Sequence, residues 1–598
     1  MKRSILLFQL IFAGLVLMIS QTFGQTISQS YEAFPVKKKF VHLPVKTGAP
    51  KTWMTVNING VLQHEFQIEL APGEPDFYAT VEVGRWQGKK LVLTAETVTS
   101  DSKWLTNVKV ADEMSDEALV YKEAYRPQFH FSPRRGWTND PNGLVYYKGT
   151  YHLFFQHNPY GTSWGNMTWG HAVSTDLLHW TEKPDAVLPD KNGVVFSGSG
   201  LVDWENTSGL QKNPKKDASG KLANPPLVLF YTSIQADRGK GPAAQSMVYS
   251  LDEGKTWKKY PANPVLPNLI TDNRDPKVFW YSDRQNPAGP KGGHWVMALY
   301  LEGENYALFS SQNLTNWEKM CDIKNLGCSE CPDMFELPVD GNSAQTKWVF
   351  WGGDGKYLIG TFDGKTFTPE AGPFTTKYGG NDYAAQTYSD IPATDGRRIQ
   401  FSWMSGGKYP GMPFNQQFTV PRSLTLRTTS EGVRLFIEPA IEIEKLRNSK
   451  QANFSANLKG MDNKIKVPGM KGELFDIEIL LDFKKFDEKN PLSTDTTNLI
   501  YMEIFGQKIT YNMGSKIIES AGIKAPLVPV DHQIRIRLII DRTTVELFAN
   551  DGIIQIANCF INKDKVPANL SIWGKKDLAT VSVKSYQLKS VYSIQPGS

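Results

Sequence analysis

Cysteine is scarce in this chain: Cys321, Cys328, Cys331 and Cys559 are the only four among 598 residues. So few thiols exclude a fold stapled by a disulfide framework. Cys328 and Cys331 have the two-residue spacing of a zinc or redox pair, but no second Cys or His pair lies near them in sequence, so no metal site and no organic cofactor is expected. Whether a single Cys321 to Cys328 disulfide stiffens the loop before Glu330 is left open by the sequence. Excess charge is missing too, with 66 Lys and Arg against 61 Asp and Glu, a net +5 and no basic run. That balance excludes a nucleic-acid or other polyanion partner from the first hypotheses. No segment beyond the first two dozen residues is apolar enough to cross a bilayer.

What is present begins with a targeting segment over residues 1–24. Lys2 and Arg3 supply a positive start, Ile5 to Ile19 is a mostly apolar run interrupted by Gln9, and small and polar residues follow. The run is short for a bilayer span, which predicts export and cleavage, to a periplasm or the exterior, without stable membrane insertion. No cysteine precedes Cys321, so the lipid-attachment thiol of a bacterial lipoprotein is lacking. Aromatic residues make up 12% of the chain, including 16 Trp. Indole faces stack on sugar CH groups, although many of these Trp suit a β-core equally well.

Strand periodicity dominates the remainder. Over residues 25–120, Val56, Ile58, then Phe66, Ile68, Leu70, fall on alternating positions, and Asn59-Gly60 signals a hairpin, which predicts a small accessory β-sandwich. Trp53, Tyr78 and Trp86 are expected to fill its core or a domain contact, because so small a sandwich needs its aromatics inside. Residues 121–438 carry a degenerate repeat. Ser174-Thr175-Asp176-Leu177-Leu178-His179-Trp180 is echoed at Ser250 to Trp257, at Ser311 to Trp317, and faintly at Phe362 to Phe367. Echoes roughly 50 to 77 residues apart, with short apolar strands between them, have the period of propeller blades. Over residues 439–598, Ala440 to Arg447 has helical spacing, and a β-rich stretch follows in which Ile534, Ile536 and Leu538 alternate with Arg535 and Arg537. Glu546 there reads as a surface or interface carboxylate.

Three carboxylates stand in distinctive frames: Asp140 in Trp137-Thr138-Asn139-Asp140-Pro141-Asn142-Gly143, Asp275 in Asn273-Arg274-Asp275-Pro276-Lys277, and Glu330 in Ser329-Glu330-Cys331-Pro332-Asp333. Singly, the first is an ordinary turn and the second an exposed ion pair. Taken with His130-Phe131-Ser132-Pro133, Tyr151 to Gln156, Trp164-Gly165, Trp169-Gly170-His171 and Phe196-Ser197-Gly198-Ser199, the series from about residue 125 to 590 resembles glycoside hydrolase family 32, the β-fructofuranosidases.

The resemblance implies an all-β fold, with a five-bladed β-propeller catalytic domain, a C-terminal β-sandwich, and the small N-terminal β-sandwich as an addition. It implies a retaining hydrolase acting on fructan and sucrose, closest in pattern to microbial exo-levanases and exo-inulinases. Asp140 is then the nucleophile that forms a covalent fructosyl-enzyme, Glu330 the general acid and base, and Asp275 the stabiliser of the transition state through ring hydroxyls. Arg274 balances charge. Asn139, Gln156 and Ser197 match hydroxyl-contact positions, Trp164 and Phe196 an apolar wall, and Trp403 an addition to that wall. Two positions depart from the family pattern: Thr138 replaces an aliphatic residue, and Asn381 stands where Asp is common, which leaves open whether Asn381 or Asp382 faces the sugar. An endo-levanase with an open groove is the nearest alternative. A non-catalytic fructan-binding protein or a fructosyltransferase are others.

Overall fold

Alternation becomes strand wherever the sequence displays it. In the computed structural model, which describes residues 26–114, 120–234, 241–283, 292–487 and 494–592, the segment Thr52–Ile58 buries every second side chain. The targeting segment lies outside the described residues. Asn59 and Gly60, at φ 50° and 82°, turn Thr52–Ile58 back into Val61–Ile68, the hairpin expected of an Asn-Gly pair.

Around that hairpin a four-stranded and a three-stranded sheet enclose one apolar core, with Met54, Val56, Phe66, Leu93 and Trp104 inside. Trp86 is buried in this core, while Tyr78 is half-buried beneath the Lys109 ammonium, 3.9 Å from its ring centroid. The amino-terminal region is thus a small β-sandwich.

Five antiparallel four-stranded units follow, the first extended by the parallel two-residue strand Phe414–Asn415 and the last two joined into one eight-stranded sheet by a parallel bridge between Val339 and Leu426. Their first strands are Gly136–Tyr147, Val194–Val202, Arg274–Ser282, Asp333–Val339 and Tyr383–Thr387. Gly136–Tyr147 packs against both Val194–Val202 and Tyr383–Thr387, and Val194–Val202 packs against Arg274–Ser282. The buried Lys277 ammonium is 3.1 Å from Asp333 and donates to the Thr387 carbonyl at 2.8 Å, so one side chain ties the third, fourth and fifth first strands together.

The sequence repeat is a repeated turn. In each of the first four units it joins the third strand to the fourth, and an Asp or Asn accepts backbone N–H groups within it: Asp176 from His179, Asp252 from Thr256, Asn313 from Asn316 and Asp363 from Thr366. The next residue is left-handed each time, at φ 66° for Leu177, 63° for Glu253, 65° for Leu314 and 92° for Gly364. Trp180 and Trp317 donate their indole N–H to the carbonyls of Leu177 and Leu314.

A 3-10 helix, Ile441–Leu446, leads into a seven-stranded and a six-stranded sheet that pack as a second β-sandwich. The two-residue strand Lys377–Tyr378 extends the larger sheet by pairing parallel to Ile554–Cys559. Between this sandwich and the five units lies a fully buried chain of charges. Arg422 donates to Asp382 at 2.7 Å and to Glu546 at 2.8 Å, and His130 bridges Glu546 and Asp541, each at 2.8 Å. Glu546 is therefore an interface carboxylate with 1% exposure, which excludes the surface alternative.

The four thiols are free, which answers the question the sequence left open: Cys321 and Cys328 are not bridged. Cys328 is buried against the Tyr306 hydroxyl, and Cys321 sits in the strand Glu318–Ile323.

Candidate active site

Four of the five first strands deliver pocket residues at or beside an interruption of their pairing, and the fourth, Asp333–Val339, follows the loop that carries Glu330 and Cys331. Asn-Asp-Pro-Asn-Gly is not a turn. It lies within the single strand Gly136–Tyr147, whose register shifts between Thr138 and Pro141, around Asp140. Shifts also bracket Phe196 and Ser197, Asp275, and Ala384. Bulges of this kind release a residue from the ladder and re-aim its side chain. Asp275, Glu330, Cys331 and Ala384 are left-handed, at φ 64°, 60°, 41° and 53°. For residues with a Cβ this conformation costs on the order of 1–3 kcal/mol each, a strain that concentrates at functional sites.

The result is a cavity of about 220 Å³. Asp140, Asp275 and Glu330 line it together with Arg274, Asn139, Gln156 and Ser197, and Trp164, Phe196 and Trp403 contribute aromatic walls. All ten residues singled out from the sequence thus meet in one pocket. Met167, Cys331 and Tyr383 complete the lining.

Asp140 is held by donors on both carboxylate oxygens. Ser197 Oγ donates to Oδ2 at 2.5 Å and Asn139 Nδ2 to Oδ1 at 3.1 Å. The Asn139 amide is itself oriented by the Trp137 indole N–H, 3.1 Å from its oxygen. Burial pushes the Asp140 carboxyl above its ordinary value, the Ser197 and Asn139 hydrogen bonds oppose that shift, and the charge of Glu330 adds to it. Gln156 donates to Ser197 at 3.3 Å, while its side-chain carbonyl is buried with no protein partner, an acceptor left for a ligand hydroxyl.

Asp275 is the deepest of the three. It accepts the Cys331 backbone N–H at 3.0 Å, and its own N–H is donated to Thr232 Oγ1 at 2.9 Å. Burial pushes its carboxyl up to about 7; Arg274 pulls it down, and Asp140 and Glu330 push it further up. The Cys331 thiol reaches toward both aspartates, 3.8 Å from Asp140 and 3.6 Å from Asp275.

Glu330 is gripped from two sides. Arg274 Nη2 donates to Oε1 at 2.7 Å, and the Tyr383 hydroxyl donates to Oε2. Its backbone carbonyl accepts Tyr306 Oη at 3.1 Å and Gly353 N–H at 3.0 Å, fixing the loop that carries it. Arg274 also pairs with Asp272 at 2.6 Å and lies 4.6 Å over the Tyr300 ring, so its planar fork is fully directed.

Tyr383 escaped the sequence reading although it follows Asn381 and Asp382 directly. Neither of those two faces the cavity. Asp382 is buried against Arg422 and Lys377, and Asn381 spans Ser405 and the Cys559 backbone N–H. The alternation of the strand beginning at Tyr383 sends the tyrosine inward instead.

Asp275 carries a stability consequence. Its folded carboxyl titrates above the ordinary 3.8, so the charged form is disfavoured in the fold and stability falls as pH rises from about 4 to about 7. Asp275→Asn is therefore expected to lower activity while raising the melting temperature at pH 7, with the gain vanishing near pH 3.5. Thermal melts of both proteins across that range measure it; an equal or lower melting temperature at neutral pH would contradict the burial argument.

A family model described as Glycosyl hydrolases family 32 N-terminal domain matches residues 130–439, and one described as Glycosyl hydrolases family 32 C terminal matches residues 442–589. A levanase of Bacillus subtilis (strain 168) is 37% identical over 520 residues, covering 80% of this chain and 73% of its own. An extracellular exo-inulinase of Aspergillus niger is 33% identical over 524 residues, covering 76% and 93%. Among solved structures, exo-inulinase from Aspergillus awamori superposes with a TM-score of 0.66 at 28% identity, over 79% of this chain and 100% of that one. A fructofuranosidase from Schwanniomyces occidentalis complexed with fructosylnystose gives 0.68 at 27%, over 80% and 100%.

Proposed function

This chain belongs to glycoside hydrolase family 32, and we propose from that membership that it removes terminal fructose from levan or inulin, and from sucrose, by a retaining double displacement. It is a glycoside hydrolase of the β-fructofuranosidase type, with relatives that include levanases and extracellular exo-inulinases. The observation that carries the finer reading is the convergence of Asp140, Asp275 and Glu330 on a cavity of about 220 Å³. That volume is below the roughly 300–1,000 Å³ of pockets for drug-sized ligands, and suits a single sugar ring at a chain end.

Cleavage of a fructofuranoside builds positive charge at the anomeric carbon and negative charge on the departing oxygen. Asp140, oriented by Ser197 and Asn139, attacks that carbon to form the fructosyl-enzyme. Glu330, aimed by Arg274 and Tyr383, protonates the leaving oxygen and then takes a proton from the incoming water. Asp275 and the free Gln156 carbonyl hold ring hydroxyls, and Trp164 and Phe196 cover the apolar face. The five four-stranded units serve as the blades of a propeller whose inner strands converge on this pocket.

Residues 1–24 serve as a cleaved export signal, a reading supported by Lys2-Arg3 ahead of an apolar run and by the extracellular relatives. The amino-terminal sandwich, the five units and the carboxy-terminal sandwich form three domains, over residues 25–120, 121–438 and 439–598.

Incubation with levan and inulin in parallel, with products followed by chromatography, tests the mode of attack. Fructose as the sole early product is expected, the faster polymer naming the linkage. An early ladder of oligosaccharides would overturn the exo reading in favour of an endo-enzyme, and binding without release would overturn hydrolysis.

A further inference from the structure

The amino-terminal domain contacts a loop that carries a wall of the pocket. Residues 159–167 join Thr150–Asn158 to Thr168–Ser174, and Trp164, an aromatic wall of the cavity, is carried at its exposed side. Trp164 is 55% exposed, and its ring meets Phe196 edge-on at 6.1 Å between centroids. A side chain so thinly packed takes its position from the backbone beneath it.

That backbone is held from within by Asn158 and Asn415, which donate to the Ser163 and Thr162 carbonyls at 2.8 and 3.0 Å, and from outside by the amino-terminal sandwich. Tyr160, only 7% exposed, belongs to the sandwich's own apolar core, its ring stacked on Phe66 at 3.6 Å between centroids. Two residues beyond Trp164, the Asn166 side chain pairs with the Gln67 backbone in both directions, accepting its N–H and donating to its carbonyl, each at 2.8 Å. The same amide donates to Asn158 at 2.9 Å, which closes the base of the loop. The sandwich therefore holds the loop on both sides of Trp164.

We propose that the amino-terminal domain is a positioning element of the substrate pocket, holding the 159–167 loop through Tyr160 and Asn166 so that Trp164 walls the cavity. The proposal rests on the reading of the cavity as the fructoside site. It makes Tyr160 and Asn166 positioning residues whose effect passes through Trp164.

The test is steady-state kinetics of the full chain on whichever polymer it cleaves. Tyr160→Ala and Asn166→Asp are each expected to raise KM by about five-fold or more with kcat within about two-fold, because only uniform binding is lost. Tyr160→Phe keeps the ring in the sandwich core and is expected to retain the parental KM. Trp164→Ala raises KM by itself, and Tyr160→Ala added to it is expected to bring no further rise, since residues acting through one another are non-additive. Should Tyr160→Ala fail to fold, Asn166→Asp and its combination with Trp164→Ala carry the same comparison. An unchanged KM in folded Tyr160→Ala or Asn166→Asp, or a full additional rise in the double variant, would overturn the proposal. A parental protein that cleaves neither polymer would instead overturn the reading of the site.

Discussion

Asp140→Asn is expected to lose turnover on every fructoside, by roughly ten-thousand-fold or more in kcat, because an amide cannot form the covalent intermediate. The fold should survive. Ser197 and Asn139 can still be accommodated by an isosteric amide after a side-chain rotation, and the strand Gly136–Tyr147 keeps its bulges. Glu330→Ala is expected to fail differently. On natural polymers the missing proton donor costs about 10²–10⁴ in rate, whereas a fructoside with an activated leaving group needs no acid and should recover much of the first step. Parallel rates on an activated and a natural substrate separate the roles. Near-normal turnover by Asp140→Asn, or equal losses by Glu330→Ala on both substrates, would invert or remove the assignment. Tyr383 and Arg274 grip the Glu330 carboxylate, so the alanine leaves two donors facing the cavity, a place for water to enter during the second step.

Arg422→Ala is expected to cost about 3–5 kcal/mol of stability, the loss that follows when one partner of a buried ion pair is removed. Arg422 lies between Asp382 and Glu546, all three within 3% exposure, and without it two carboxylates remain buried with one cation fewer. Thermal or urea unfolding measures the drop; a shift below about 1 kcal/mol would mean that water or side-chain relaxation replaces the guanidinium.

The same chain of charges sets a pH window. His130, between Asp541 and Glu546, has its imidazole pushed up to about 9 by the hydrogen bonds and charges of these two carboxylates, which outweigh its burial. Its contribution is fully present below the ordinary 6.5 and is lost as pH rises through about 9. Asp541 and Glu546 are held below their ordinary 3.8 and 4.5, Asp541 by His130 and Glu546 by Arg422 and His130, in each case against burial. Their contribution is present above those values and disappears as pH falls through the depressed ones. Interface stability should therefore plateau between about pH 5 and pH 6.5 and decline on both sides.

The amino-acid sequence alone determined which chemistry is available. Carboxylates within short intact frames, the Asn59-Gly60 hairpin, the alternation of Thr52–Ile58 and the Asp or Asn turns repeated from unit to unit are local features, expressed by backbone propensities and near neighbours that spacing reveals. Asp140, Asp275 and Glu330 were recognisable only because the whole series of frames resembles glycoside hydrolase family 32; singly, the first two read as a turn and an exposed ion pair. The tertiary structure decided what those residues face. The bulge that turns Asp140 out of its ladder depends on its pairing with Thr150–Asn158, so the same five residues that form a turn in isolation become an interrupted strand. His130 and Asp541 are 411 residues apart, and Glu546 became an interface group only when the second sandwich closed on Arg422. Tyr383 gained its role from the strand that carries it past Glu330, and Trp164 gained its support from a domain that begins more than a hundred residues earlier. Contacts made across such separations depend on how whole sheets pack, and no local pattern of residues encodes the partner that packing will supply.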